Sequence, residues 1–160
     1  MTIIATDGIH MAADSASFQN EVMFSCYEPK IVHAPDGSLV GATGATGDCH
    51  FLKAWVRDGM DFAKKPRFSW ADVSSDNSIL WLWLRTDGKV HMGDCTMLHW
   101  PVPQPVVIGS GAALATGAMA AGMSLYDAVT MAVRRSPYLG GDVQIERLRA
   151  SLAEAATVAA

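Results

Sequence analysis

The residue that could do chemistry most directly is the threonine at position 2. Thr2 follows the initiator Met1, and a small residue at this position usually permits removal of the methionine. Thr2 would then carry both a hydroxyl and a free α-amine, a pair that can serve as nucleophile and base. Such an amine titrates near about 7.7–8.0 in model peptides, so part of it is basic near neutral pH. Position alone leaves open that Thr2 is only a β-forming residue in an N-terminal strand.

A hairpin predicted for residues 2–14 would bring a carboxylate to this threonine. The turn dipeptide Asp7-Gly8 lies between two short apolar runs, a pattern typical of a tight β-hairpin. Asp14, at the end of the second strand, would then lie beside Thr2 at the start of the first.

The rest of the chain predicts hairpins followed by grouped helices. Strands are predicted at 30–33, 38–42, 79–84, 89–92, 106–108 and around 143–145, and 15–28 and 101–105 are predicted to be irregular. Helices are predicted after the small-residue segment 41–48, at 109–121, from 124 to 135 and at 146–156. The first helix has Phe51, Leu52, Trp55 and Val56 on one face, and the unbroken apolar run 79–84 is typical of a central strand. This order indicates one α+β domain with antiparallel sheets covered by helices.

Composition limits the class of protein. Half of the residues are hydrophobic and 18% are charged, which indicates a well-buried globular chain, and the net charge of −4 does not support nucleic-acid binding. Three cysteines without metal-ligand spacing indicate reduced thiols and a cytoplasmic location. The first residues lack a signal-peptide pattern, and the prolines and glycines of the uncharged segment 101–126 argue against a membrane helix.

Two other kinds of site are weakly supported. The motif Gly109-Ser110-Gly111 follows a predicted strand, but Leu114 stands where a dinucleotide loop has its third glycine. The five histidines lie at no zinc-ligand spacing. We therefore expect neither a cofactor nor a metal.

Several segments together resemble one known family. They are Thr2-Ile3-Ile4-Ala5, Ala12-Ala13-Asp14-Ser15, Lys30-Ile31, residues 41–48, Ile108-Gly109-Ser110-Gly111 and Pro137-Tyr138-Leu139-Gly140-Gly141. In this order they resemble the proteasome β-subunit and bacterial HslV family of N-terminal-nucleophile hydrolases, most closely its short bacterial and phage-type members. The resemblance covers nearly the whole chain and implies a four-layer αββα sandwich.

The resemblance also implies roles for individual residues. Thr2 matches the nucleophile, Lys30 the lysine that stabilises its alkoxide, and Asp14 the carboxylate that orients this lysine. Gly44 matches a backbone N–H donor of the oxyanion hole, and Ser110 a serine that relays protons near the amine. Ala42 and Thr43 match positions along the substrate-binding strand and specificity pocket.

The implied activity is that of a threonine-type peptidase in a homo-oligomeric ring. Its substrates would be peptides or unfolded proteins, and an ATP-dependent unfoldase is a possible partner. Ser136 and Leu139 stand where the family has an aspartate and a hydroxyl residue, and an apolar Leu139 is expected to leave polar partners unpaired. If Met1 were retained, Thr2 would have no basic amine, so a catalytically inactive ring subunit is the alternative hypothesis.

Overall fold

The computed structural model describes residues 1–19, 22–25, 28–70, 72, 74–75 and 78–149. The strands are β1 (Ile3–Thr6), β2 (His10–Asp14), β3 (Ala16–Gln19), β4 (Val22–Ser25), β5 (Ile31–His33), β6 (Leu39–Thr43), β7 (Leu80–Leu84), β8 (Val90–Asp94), β9 (His99–Val102), β10 (Val106–Gly109) and β11 (Val143–Arg147). The helices are α1 (Thr46–Arg57), α2 (Ala112–Ala120) and α3 (Leu125–Arg135), with one 3-10 turn at Phe62–Lys64.

Two antiparallel sheets lie face to face. The first has the order β10-β1-β2-β11, and the second has the order β5-β6-β7-β8-β9. The alternation of side chains along β1 shows how they stack. Ile4 packs with Met11, Leu39 and Leu82 between the sheets, whereas Ile3 and Ala5 pack on the other face against α2 and α3.

The helices form the two outer layers. On the outer face of the second sheet, α1 contributes Leu52, Trp55 and Val56 to a cluster that includes Trp81. Ser124 caps α3, since its hydroxyl accepts a hydrogen bond from the Asp127 N–H. The layer order is therefore α2/α3, first sheet, second sheet, α1, which confirms the predicted α+β, αββα sandwich.

The predicted central strand is confirmed. Strand β7 occupies the middle of the five-stranded sheet. Trp81 is buried towards α1, while Leu82 and Leu84 are buried between the sheets. An unbroken apolar run is needed here because both faces of this strand are covered.

Three predictions about secondary structure are wrong. Residues 15–28 are not simply irregular, because β3 and β4 pair there as a separate hairpin. Pro101 lies within β9 rather than in a loop, which is possible because β9 is the edge of its sheet. Glu146 and Arg147 belong to β11, which pairs with β2, so no helix begins at 146. The remainder of that predicted helix, from 150 on, lies outside the described residues.

The prediction for the buried face of α1 is partly wrong. Phe51 is 52% exposed, although Leu52, Trp55 and Val56 are buried as predicted. Instead, the buried side of α1 includes two charged residues, Asp48 and Lys53. Asp48 accepts hydrogen bonds from the N–H groups of Ser69 and Trp70 at 2.9 and 3.1 Å. These bonds hold the segment around residues 69–70 against α1.

Candidate active site

Thr2 and Asp14 meet at one end of the first sheet. The register of β1 and β2 pairs Ile4 with Ala13, which sets Asp14 across from the start of β1. The Ile3 N–H donates to Asp14 Oδ1 at 3.0 Å. The predicted hairpin therefore forms and holds the carboxylate at the chain's first residues.

Lys30 reaches this point from the second sheet, since it directly precedes β5. Its Nζ lies 2.9 Å from Thr2 Oγ1, 2.7 Å from Asp14 Oδ1 and 2.5 Å from the Ala16 carbonyl oxygen. An ammonium has three protons to donate, so these three acceptors can use all of them. The structure thus brings together the three residues Thr2, Asp14 and Lys30.

This cluster is shielded from water. Asp14 is fully buried, the Lys30 side chain is 10% exposed and Thr2 is 8% exposed. The second carboxylate oxygen, Oδ2, accepts a weak hydrogen bond from the Gly140 N–H at 3.4 Å. A cation held in such a place interacts more strongly with a developing alkoxide than it would in water.

The backbone next to Ser110 fixes Thr2 from the other side. The Ser110 N–H donates to the Thr2 carbonyl oxygen at 2.8 Å. A Cβ on Gly109, whose φ is +94°, would lie 2.1 Å from the same oxygen, so glycine is required there. The Ser110 side chain itself is exposed, and its predicted part in proton relay stays a prediction.

A small pocket opens beside Thr2. Its lining comprises Thr2, Ser17, Glu28, Lys30, Ala42, Gly44, Thr46, Cys49 and Lys53, around a cavity of about 50 Å³. Ala42 and Gly44 were predicted here from sequence, and Gly44 has a φ of +128°. Thr43, the other predicted substrate-binding residue, is not among the lining residues, because adjacent strand residues point to opposite faces.

The inner wall of the pocket was missed by sequence reasoning. Burial raises the pKa of the Cys49 thiol to about 11, so this thiol is protonated at neutral pH. Lys53 Nζ lies 3.0 Å from Glu28 Oε1 and donates to the Pro29 carbonyl oxygen at 3.2 Å. Residues 46, 49 and 53 follow the i, i+3, i+7 spacing of one helix face, the only sequence signal that they share a wall.

Leu139, one of the two departures from the family pattern, has an ordinary role in packing. Leu139 is 5% exposed and packs in the cluster that contains Ile3, and its Cδ1 would lie 2.5 Å from a Cβ on Gly111. Among the described residues, the buried side-chain polar atoms without a partner are His33 Nδ1 and Thr130 Oγ1, neither of which belongs to Thr2, Asp14 or Lys30. The expectation that Leu139 leaves polar partners of the Ser110 and α-amine network unpaired stays a prediction.

The described residues include Met1. Thr2 Oγ1 donates to the Met1 carbonyl oxygen at 2.7 Å while it accepts from Lys30. The hydroxyl is thus already held in place, but the Thr2 nitrogen is a peptide amide and not a base.

No protein-family model matches the chain, and no curated protein sequence matches it. Solved structures do. BPH from Thiobacillus denitrificans, in a complex with epoxomicin, superposes with a TM-score of 0.68 at 18% identity, over 93% of this chain and 100% of that one. HslV from Trypanosoma brucei superposes with a TM-score of 0.63 at 16% identity, over 91% of this chain and 98% of that one.

The chain has the proteasome-like fold of HslV. At these identities the likeness establishes the fold, and it confirms at that level the resemblance drawn from the sequence motifs. The HslV-type fold accounts for the order of strands and helices over nearly the whole described chain.

No group of three or more histidine, cysteine, aspartate or glutamate side chains is arranged to hold a metal ion in the described ranges. Within the same ranges no helix has the length and apolar character that crossing a bilayer requires.

Proposed function

We propose that this chain, once Met1 is removed, is the threonine-type peptidase subunit of a self-compartmentalised cytoplasmic ring. The observation that carries the proposal is the position of Lys30 Nζ between Thr2 Oγ1 and Asp14 Oδ1, at 2.9 and 2.7 Å. An ammonium there favours the alkoxide of the threonine, and the buried carboxylate keeps the ammonium in place. The proposal also includes the ring, peptides or unfolded proteins as substrates, and an ATP-dependent unfoldase as a partner.

The proposed reaction has two halves. The free α-amine of Thr2 takes the hydroxyl proton, Oγ1 forms a bond to the peptide carbonyl carbon, and the resulting oxyanion is stabilised by the Gly44 N–H. The C–N bond then breaks, the leaving amine takes the proton from the α-ammonium, and an ester to Thr2 remains. A water molecule, deprotonated by the same amine, attacks this ester. The bond between the carbonyl carbon and Oγ1 then breaks, Oγ1 takes the proton back from the α-ammonium, and the peptide acid is released.

Substitution kinetics test this proposal. In processed, ring-assembled protein, Thr2→Ala should abolish peptide hydrolysis without altering the fold, because no other residue supplies the nucleophile. Lys30→Ala should do nearly the same, because the alkoxide loses its counter-charge. Thr86→Ala, at an exposed turn position, is the matched control and should retain wild-type turnover. Equal turnover in the Thr2→Ala and wild-type proteins would refute the proposal.

The alternative function is that of a catalytically inactive ring subunit. Ser136 and Leu139 favour it, because they stand where the family has an aspartate and a hydroxyl residue. The intact mass separates the two functions, since the peptidase requires loss of one methionine and the inactive subunit does not.

A further inference from the structure

We propose that Gln144 is a positioning residue for Lys30, acting through the backbone at the start of β5. The inference rests on the proposed peptidase function and adds to it a residue on the C-terminal strand. Gln144 lies on β11, more than a hundred residues from Lys30 in the chain.

The need for such a residue follows from the topology. Thr2 and Asp14 belong to the first sheet, whereas Lys30 leads into β5 at the edge of the second sheet. The distance from Lys30 Nζ to Thr2 Oγ1 therefore depends on how the two sheets are held relative to each other. Among the described strands β5 pairs with β6 alone, so the backbone groups on its other side can take partners of another kind.

The side-chain amide of Gln144 supplies partners for these groups. Its Oε1 accepts from the Lys30 N–H at 3.0 Å and from the Ile31 N–H at 3.3 Å. Its Nε2 donates to the Ile31 carbonyl oxygen at 3.2 Å. One amide group thus offers both an acceptor and a donor to consecutive backbone groups, as a neighbouring strand would.

These hydrogen bonds limit the movement of the Lys30 backbone, on which the position of Nζ depends. A lysine side chain has four rotatable bonds and loses considerable freedom when it is ordered. Fixing the Lys30 backbone removes one source of displacement, and the three acceptors around Nζ then select a single side-chain conformation. A misplacement of about 1 Å at a reacting group can cost about a hundredfold in rate.

Glu146 provides a comparison on the same strand. Two residues beyond Gln144, it also faces β5, where its Oε2 contacts the His33 side chain at 3.2 Å, while its Oε1 accepts a long hydrogen bond from Gln144 Nε2 at 3.5 Å. Glu146 therefore links the same two strands without touching the backbone of Lys30. The Glu146→Ala variant loses the contact with His33 but keeps the three hydrogen bonds of Gln144 with Lys30 and Ile31, so it measures a general weakening between β11 and β5. The Gln144→Ala variant measures the specific effect on Lys30.

The experiment compares three variants with the wild-type protein in processed, assembled form. Gln144→Ala should lower kcat by about tenfold or more and change KM by less than about twofold, since only transition-state stabilisation is affected. Gln144→Glu keeps the acceptor oxygen but places a second carboxylate oxygen against the Ile31 carbonyl oxygen and Glu146 Oε1, so its kcat should also fall below that of wild type. Glu146→Ala should retain the wild-type kcat. Crystal structures of the alanine variants should show Lys30 Nζ displaced from Thr2 Oγ1 only in Gln144→Ala.

Two kinetic results would overturn the inference: an unchanged kcat in Gln144→Ala, or an equal loss of kcat in Gln144→Ala and Glu146→Ala. A wild-type protein without turnover would refute the proposed function, and the crystal structures would then decide the inference alone. An unmoved Nζ in Gln144→Ala would overturn it, whereas a displacement confined to this variant would support it. If Gln144→Ala does not fold, the same comparison is made with Gln144→Glu.

Discussion

Asp14 is the residue on which the geometry of the site depends. Its buried carboxylate accepts from the Lys30 ammonium and from the Ile3 N–H on one oxygen, and from the Gly140 N–H on the other. It therefore joins the start of β1, the lysine before β5 and the segment before β11. Without it, the ammonium of a side chain that is 10% exposed would lose its ion pair at 2.7 Å.

Replacement of Asp14 should destabilise the fold as well as the site. Breaking a buried ion pair by removing one partner costs about 3–5 kcal/mol, so Asp14→Ala should lower the free energy of unfolding by about this amount. Urea denaturation of the wild-type and variant proteins measures the difference. Asp87→Asn, at an exposed ion pair with Lys89, is the control and should change stability little. Equal stability of the Asp14→Ala and wild-type proteins would contradict the described contacts.

The individual residues of the site differed in how far the sequence could predict them. Asp14 followed from the period and turn of the first hairpin, a local pattern. Lys30 and Gly44 came only from the family resemblance, because nothing local indicates which strand will approach Thr2. Gln144 could not be found, since its role arises from the contact of two sheet edges that lie far apart in the chain.

At the scale of elements, β8 and β9 carry a pair of histidines on the outer face of the second sheet. His91 Nδ1 and His99 Nδ1 lie 3.0 Å apart, and the ring of Trp83 lies beside both imidazoles. A hydrogen bond at this distance requires one nitrogen to donate and the other to accept. Two protonated rings would instead bring two donors and two positive charges together.

The stability of this strand pair should fall at acidic pH. Burial, with a smaller contribution from His99, lowers the pKa of His91 below 6.5. The unfolded state, with a pKa near about 6.5, then binds more protons than the folded state, so stability is lost as the pH falls through about 6.5. Melting temperatures between pH 8 and pH 5 should show a smaller decrease for His91→Gln and His99→Gln than for the wild-type protein. Parallel curves for all three proteins would contradict this account.

Elements with strong local signals were predicted well. The apolar run of β7 and the Ser124 cap of α3 identify their elements without tertiary information. The hairpin β3–β4 was missed, and β11 was predicted only around 143–145, because the stability of both comes from partners. Strand β11 is alternately polar, and it becomes a strand by pairing with β2 and by facing β5 with Gln144 and Glu146.

At the scale of the whole molecule, the αββα arrangement explains why the site lies where it does. Each sheet contributes part of the site, and the pocket is completed by α1. The sequence motifs and the structural likeness to HslV agree on this arrangement. What the motifs could not give is the contact between sheets, because that depends on packing along the whole interface between them.

The proposed ring should be visible in the mass of the assembly. Large apolar side chains remain exposed on the described surface, including Leu98 at 67%, Val22 and Met23 at 55% each and Tyr138 at 55%. Exposed apolar groups in this number are suited to burial between copies of the chain. Light scattering at micromolar concentration should give a defined multiple of 17.1 kDa. A stable monomer under these conditions would contradict the ring.

The most direct test of a Thr2 nucleophile is intact-protein mass spectrometry before and after treatment with an epoxyketone, an electrophile directed at N-terminal threonines. The account predicts a chain lacking one methionine and a single adduct that maps to the peptide beginning with Thr2. The Thr2→Ala protein should show the same processing and no adduct. Ring-assembled protein that has lost Met1 and still shows no adduct, or an adduct elsewhere, would contradict the central claim, and retention of Met1 would favour the inactive subunit.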